Sequence, residues 1–366
     1  MSVAPSQQEI CDLFVHCGIG DLDGMHFSCD QVCEGLGFIS TLFRVSIGQR
    51  SFIVKVTDPH KEFDHQIDNA FSFLCGAHNR ELAVYSWMKS LAQCGIATPT
   101  GVPQYFGGRH CGKANGIVIM EDLSGRIARQ IVYVEGFKVH QMLQLVEQIV
   151  NYQAAFLSTD QELILSDVES LIQAESDFFI QQIDELPDMK WWSEDKTKNG
   201  RTRKEVMKEW SAVEQLKETQ QKYPSTVKDL PVVLCHCDLW PNNLLWEKTD
   251  EDSDVSLLAI VDWQCSKHGV CLLDLTTPIA VCFDVDTRRG HLDTSLNFYV
   301  QEMNARSASF KKSFEITYDK ASAVFNHSLR FGALQLMMTI VQSPQEDRNG
   351  ILTARLQALL EDIIPI

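Results

Sequence analysis

At 366 residues, 45% apolar and 22% charged, the chain has material for two lobes around a substantial core. A formal charge of −17 leaves no basic face able to dominate its field, which argues against a nucleic-acid partner, and no apolar run reaches membrane-spanning length. Twelve cysteines are scattered without a Cys-x-x-Cys pair, and Gln7, Gln8, Glu9 and Asp12 interrupt any export-signal core at the start. Reduced thiols and a cytoplasmic location are the expectation.

Residues 1–30 alternate apolar and polar side chains without a firm period. Phe43, Val45 and Ile47 then alternate with polar neighbours, Gly48 and Gln49 form a turn, and Phe52 to Val56 form the return strand. Gly35 and Gly37 precede this hairpin, where the lack of side chains would let backbone N–H groups approach a phosphate; a tight turn explains them equally well. Lys55 is the one charge inside the run Phe52 to Val56, so it needs a partner, an anionic ligand or an edge position from which to reach water. Glu81 offers that partner. It opens a stretch in which Leu82, Tyr85, Met88 and Leu91 recur at helical spacing, although Glu62 and Asp68 lie in the same connecting region.

A Pro- and Gly-marked connector at 98–103 leads to the apolar strand 116–120 and an acidic turn at Glu121 to Leu123, the expected hinge between a β-rich lobe and a helical one. Val139, Met142, Leu143, Val146, Ile149 and Val150 predict an amphipathic helix over 137–157. Residues 158–230 carry helical patterns and no strand signal; the charged stretch from Ser193 to Lys204 is expected to be a mobile surface loop. Trp191 and Trp192 could line a pocket there, though such a pair more often packs a core.

Between Val232 and Asp274 two short apolar runs bracket a polar knot. His236, Asp238 and Asn243 stand in the order His-x-Asp-x-x-x-x-Asn, and Asp262 ends a β-type run. This is the catalytic-loop spacing of kinases. Phosphoryl transfer needs a carboxylate to orient and deprotonate a hydroxyl, and oxygen ligands to hold magnesium on the phosphates. Asp238 suits the first role, and Asn243 with Asp262 suit the second. A hairpin formed by 243–247 and 256–263 brings both metal candidates to one end. Asp274 opens an apolar helix and either braces the loop or caps that helix. The rest of the chain is helical by period.

The series Gly35, Gly37, Lys55, Glu81, "MEDL" at 120–123, "HCDLWPNN" at 236–243 and "IVDWQ" at 260–264 resembles the aminoglycoside phosphotransferase and choline kinase superfamily. Within it the chain is similar to CHK kinase-like proteins, which include insect ecdysteroid kinases and a large group of nematode proteins. The resemblance spans roughly 30–340 and implies an α+β, protein-kinase-like bilobal fold. Residues 1–122 would form an ATP-binding lobe and 123–366 a catalytic and substrate lobe, with a helical insertion at about 158–230. It further implies ATP and Mg2+ as cofactors and a small-molecule hydroxyl as acceptor. Gly35, Gly37 and Ser40 would cover the phosphates, Lys55 held by Glu81 would contact them, and the backbone of Glu121 to Leu123 would meet the adenine. Asp238 would act on the hydroxyl, His236 would order the loop, and Asn243 and Asp262 would bind magnesium. No protein partner is evident. The family usually has His-Gly-Asp where this chain has His236-Cys237-Asp238, so a nucleotide-binding scaffold impaired in turnover is the alternative. A protein kinase is disfavoured, because only eleven residues separate Asp262 from Asp274 and no Ala-Pro-Glu motif follows.

Overall fold

The computed structural model describes residues 6–19, 26–32, 39–61, 69–96, 99, 101–129, 135–248, 255–312, 314–344, 347 and 349–364. Five antiparallel strands, β1 (Phe27–Val32), β2 (Thr41–Ile47), β3 (Arg50–Thr57), β4 (Tyr105–Arg109) and β5 (Gly116–Glu121), form a sheet in the order β1-β2-β3-β5-β4. Gly48 supplies the positive φ of 60° in the β2–β3 turn that the sequence expects there. The period of two puts Val54 and Val56 on one sheet face and Lys55 on the other.

Helix α1 (Gln7–His16) covers the Val54 face. Ile10, Leu13 and Phe14 join Phe43, Val45, Ile47, Phe52 and Val54 in one apolar cluster, with Phe14 edge-on to Phe52 at 4.8 Å. Neither α1 nor β1 has a clear sequence signal, because three buried side chains on ten residues make a short stripe and β1 is only half-buried.

Helix α2 (Ala70–Gln93) lies on the Lys55 side, and Leu82, Tyr85 and Met88 pack with Val118 and Met120. Glu81 sits in the middle of this 24-residue helix rather than at its start. The sequence hides the first half because His78, Asn79 and Arg80 interrupt the apolar stripe; each is engaged by a neighbouring element instead of by water.

The larger part is helical: α3 (Val139–Ser158), α4 (Val168–Glu185), α5 (Arg203–Trp210), α6 (Val213–Gln221), α7 (Leu273–Cys282), α8 (Val285–Arg306), α9 (Tyr318–Gln342) and α10 (Ile351–Ile363). Helix α7 is buried along its whole length and packs against α9, α10 and α3. Two short strand groups punctuate this part. β6 (Ile127–Arg129), β8 (Leu244–Lys248) and β9 (Val255–Ile260) pair in the order β6-β8-β9, and β7 (Val233–Cys235) pairs with β10 (Lys267–Gly269). The acidic tip between β8 and β9 falls outside the described residues, as do Gly35, Gly37, Glu62 and Asp68.

Two expectations for the insertion change. The stretch from Ser193 to Lys204 is a fastened turn rather than a mobile loop: Lys196 bridges Thr202, Thr197 N–H donates to the Arg201 carbonyl at 2.8 Å, and Thr202 with Glu205 caps α5 reciprocally. Thr197 and Thr202 are buried, which the charged neighbours conceal in the sequence. Trp192 is fully buried and Trp191 packs beside it at 5.9 Å, so Trp192 fills core and lines no open pocket.

Candidate active site

Lys55, Glu81 and Asp262 come from β3, α2 and the residue pair after β9, and they meet. The Lys55 ammonium lies 2.8 Å from Glu81 and 2.6 Å from Asp262. Glu81 is 1% exposed, so the Lys55–Glu81 contact is an ion pair shielded from water. Burial alone would push the Lys55 ammonium down; the Asp262 and Glu81 carboxylates overcome it and hold lysine above its ordinary value. Burial acts the opposite way on Glu81, raising its carboxyl against the pull of Lys55. Lys55 is 5% exposed, whereas the Asp262 side chain keeps 28% of its surface open. Asp262 is thus the most open member of the trio.

The catalytic-loop spacing folds into a tight knot after β7. His236 is fully buried; its Nδ1 accepts from the Asp238 N–H at 3.2 Å, so Nε2 carries the proton and donates to the Val261 carbonyl at 3.0 Å. Burial lowers its pKa to about 4, which makes it a neutral fastener between the loop and the Asp262 strand rather than a proton carrier at pH 7. Asn243, at the end of a single 3-10 turn (Pro241–Asn243), donates from Nδ2 to Asp238 Oδ2 at 2.9 Å and to the Asp238 carbonyl at 2.8 Å. The Asn243 carbonyl in turn accepts from Val261 N–H at 3.0 Å. Asp238 and Asn243 are therefore in contact, and one backbone hydrogen bond and one from the His236 side chain join their loop to the strand that delivers Asp262.

Asp238 is half-buried. Burial, reinforced by the Asp262 charge, raises its carboxyl to about 7 despite the Asn243 hydrogen bond. A carboxylate poised there can accept a proton near neutrality.

Asp274 settles a choice the sequence leaves open. Its Oδ2 accepts from His236 N–H at 2.9 Å and from the Tyr152 hydroxyl at 2.5 Å, and its Oδ1 accepts from Cys237 N–H at 2.8 Å. It makes no helix-cap bond, so it braces the loop. Cys237 adopts a left-handed φ of 65°, a conformation that costs an L-residue about 1–2 kcal/mol and explains why glycine suits this position. Its side chain is 3% exposed and belongs to the core with Cys235, Leu239 and Leu244, turned away from the cleft.

The nucleotide-side candidates are less uniform. Ser40 is buried, and its hydroxyl pairs with Thr57 Oγ1 at 2.7 Å; Thr57 bonds His78 Nδ1 at 3.0 Å, and His78 Nε2 bonds the Arg109 carbonyl at 2.9 Å. The Ser40 hydroxyl thus belongs to an inward-running polar chain. Glu121 N–H donates to the Gln104 carbonyl at 2.9 Å, and the Leu123 carbonyl accepts from Arg126 N–H at 2.8 Å, so those two groups are committed to the hinge itself. Between them Asp122 fixes the hinge to β2 and β3 through Arg44 at 3.0 Å and Ser51 at 2.5 Å.

No cluster of three or more His, Cys, Asp or Glu among the described residues could hold a metal ion. The donors at hand fit magnesium all the same, since that ion keeps water and phosphate oxygens and asks for only one or two protein ligands. The Asp262 carboxylate is open, and because the Asn243 amide nitrogen is committed to Asp238, the Asn243 amide oxygen is the atom left to coordinate. Sequence reasoning missed Tyr152 and Arg80, whose partners lie far along the chain.

The family described as uncharacterized oxidoreductase dhs-27 (DUF1679) matches residues 45–366. Two Caenorhabditis elegans proteins are similar. "Uncharacterized oxidoreductase dhs-27" is 24% identical over 235 residues, 62% of this chain and 27% of that protein. "Uncharacterized kinase-like protein D1044.1" is 22% identical over 247 residues, 68% of this chain and 62% of that protein. The chain thus spans about a quarter of the first relative and under two thirds of the second. A choline kinase from Cryptosporidium parvum Iowa II superposes with a TM-score of 0.50 at 12% identity, covering 92% of this chain and 88% of that one. The kinship and the fold expected from the sequence are borne out: nematode relatives, one of them named kinase-like, and a kinase-like phosphotransferase fold with a small antiparallel sheet beside a larger helical part.

Proposed function

We propose that this chain, which belongs to the DUF1679 family, is an ATP- and magnesium-dependent kinase that phosphorylates a hydroxyl group of a small molecule. One observation supports the reading: the Lys55–Glu81–Asp262 trio and the Asp238–Asn243 pair, drawn from four segments, are linked through the contacts of His236 and Asn243 with Val261. In this reading residues 1–122 are the nucleotide-side lobe and 123–366 the catalytic and acceptor lobe, with the insertion at about 158–230. The oxidoreductase description is carried both by the family and by the relative it is named after, of which only 27% aligns here, and the Lys55–Glu81–Asp262 and Asp238–Asn243 contacts favour phosphoryl transfer instead.

Bound Mg2+·ATP supplies the phosphoryl group and the charge neutralisation that transfer needs. The chain's own residues do the rest. Lys55, kept charged and aimed by Glu81, donates to phosphate oxygens. The Asp262 carboxylate and the Asn243 amide oxygen would hold the metal, Asp262 giving up its Lys55 contact to do so. Asp238 uses the oxygen that Asn243 does not hold to accept the acceptor's O–H, orient its oxygen for in-line attack and take its proton. His236 keeps the loop on the Asp262 strand.

A scaffold impaired in turnover is the second reading, favoured only by the non-glycine residue at position 237. Burial of the Cys237 thiol away from the cleft speaks against it. Incubating the protein with Mg2+·ATP and pooled small alcohols, sterols and amino alcohols, with products read by mass spectrometry, tests the proposal. A gain of one phosphate on a hydroxyl compound, lost in Asp238→Asn, is the expected result; ATP binding without transfer to any pool member would favour the scaffold.

A further inference from the structure

One face of α2 is not apolar. Ser72, Gly76 and Arg80 recur every fourth residue and so form a row along the helix, and this row meets the start of α4. Ser72 Oγ donates to Asp167 Oδ2 at 2.9 Å. Asp167 precedes α4 with a left-handed φ of 54° and makes no side-chain cap, its carboxylate being given to α2 instead. A carbon added to Gly76 would lie 3.2 Å from both Arg80 Nη1 and Asp167, so glycine suits the close approach. Arg80 is 1% exposed. Its Nη1 donates to the carbonyls of Ser166 at 3.0 Å and Asp167 at 3.1 Å, and its Nε donates to the Gln264 carbonyl at 2.9 Å.

These partners define a joint. Gln264 stands two residues after Asp262, inside the short turn Trp263–Cys265, and Arg80 immediately precedes Glu81. One guanidinium thus fastens the helix that carries Glu81 both to the turn that follows Asp262 and to the first helix of the insertion. Only a planar fork can serve three carbonyls in these directions; a lysine donates from a single point. Rotating α2 so as to withdraw Glu81 from Lys55 would break all three bonds in a place that water cannot reach. Protein kinases regulate transfer by moving the helix that bears their glutamate. Here that helix is riveted.

We propose that Arg80 is a positioning residue, which holds Glu81 against Lys55 by tying α2 to the Asp262 turn and to α4. The catalytic meaning of this tie rests on the kinase reading above, whereas the tie itself can be tested without nucleotide. Lys55 is the reporter, since its ammonium is shielded by Glu81 and Asp262. Folded protein is pulsed with acetic anhydride and acetylation at Lys55 is followed by peptide mass spectrometry, with circular dichroism as the check on folding.

Arg80→Lys is expected to speed Lys55 acetylation about tenfold, the scale of coupling seen between contacting residues. Ser72→Ala, which breaks a neighbouring bond in the same row, should leave Lys55 protected. Arg80→Lys combined with Glu81→Gln should react no faster than Glu81→Gln alone, because both changes act through one contact. If Arg80→Lys does not fold, Arg80→Gln is read by the same criteria. Acetylation within about twofold of the parent protein, or effects of the two changes that simply multiply, would overturn the proposal. Titration with Mg2+·ATP is run separately: a protein that binds no nucleotide yet shows the labelling pattern loses the kinase reading and keeps the tie.

Discussion

Replacing Asp238 with Asn should make the protein more stable at pH 8 while removing its activity. Burial and the Asp262 charge move the Asp238 carboxyl from 3.8 to about 7 in the folded protein. Between those values the folded protein binds a proton that the unfolded chain does not, so this group's contribution to stability is fully present below 3.8 and is lost progressively as pH rises from there to about 7. Taken whole, the displacement corresponds to about 4 kcal/mol. Asp238 is only half-buried, and water in the cleft offsets much of that, so about 1–2 kcal/mol is the expectation. In a chain of this size that is a rise in melting temperature of about 1–3 °C. Asn removes the charge and keeps an oxygen to accept from Asn243. Thermal scans of the parent and the variant at pH 5 and pH 8 make the test, since other titrating groups cancel in the difference. The gain should be largest at pH 8 and clearly smaller at pH 5, where part of it remains because the unfolded chain is already ionised there, while phosphoryl transfer falls by about two to four orders of magnitude. Equal shifts at both pH values, or destabilisation at pH 8, would refute the claim that an ionised Asp238 is held at a cost.

Cys237→Gly relieves the left-handed strain and empties a small buried volume, so turnover should change by less than about threefold; a gain of tenfold or more, equivalent to about 1.4 kcal/mol of barrier, would show that the thiol distorts the loop. A double-mutant cycle of Lys55→Met and Glu81→Gln on ATP affinity should be non-additive by about 1 kcal/mol, and strict additivity would remove Glu81 as the partner that matters. Asp274→Ala strands two backbone N–H groups and the Tyr152 hydroxyl, and is expected to cost about 2–4 kcal/mol in denaturant unfolding. A loss under about 0.5 kcal/mol would mean the loop does not depend on this brace.

The site was legible in the sequence wherever chemistry contradicts its surroundings. Lys55 stands out as a charge in a buried strand, and His236, Asp238, Asn243 and Asp262 as polar residues between apolar runs, because burying such groups is costly unless they are used. The β2–β3 and β8–β9 hairpins were legible from alternation. What failed to show was whatever depends on distant pairing. Asp274 looks equally like a cap or a brace until its carboxylate is seen 2.9 Å from His236 N–H, 38 residues away in the chain. Arg80 is one more polar residue on a helix until its carbonyl partners, 86 to 184 residues distant, are known. Ser40 has a phosphate-facing sequence context, yet a threonine on the neighbouring strand takes its hydroxyl. Helix α1 is short, and its stripe gains meaning only from the sheet face it covers.

The central claim is most directly tested by calorimetric titration of ATP into the protein with and without magnesium, repeated on Asp262→Asn. Binding should require magnesium and disappear in the variant, which should remain folded because the Asp262 side chain is partly open to the cleft. No binding in either condition, or an affinity in the variant within about twofold of the parent, a difference of about 0.4 kcal/mol, would contradict the assignment of this cleft to Mg2+·ATP.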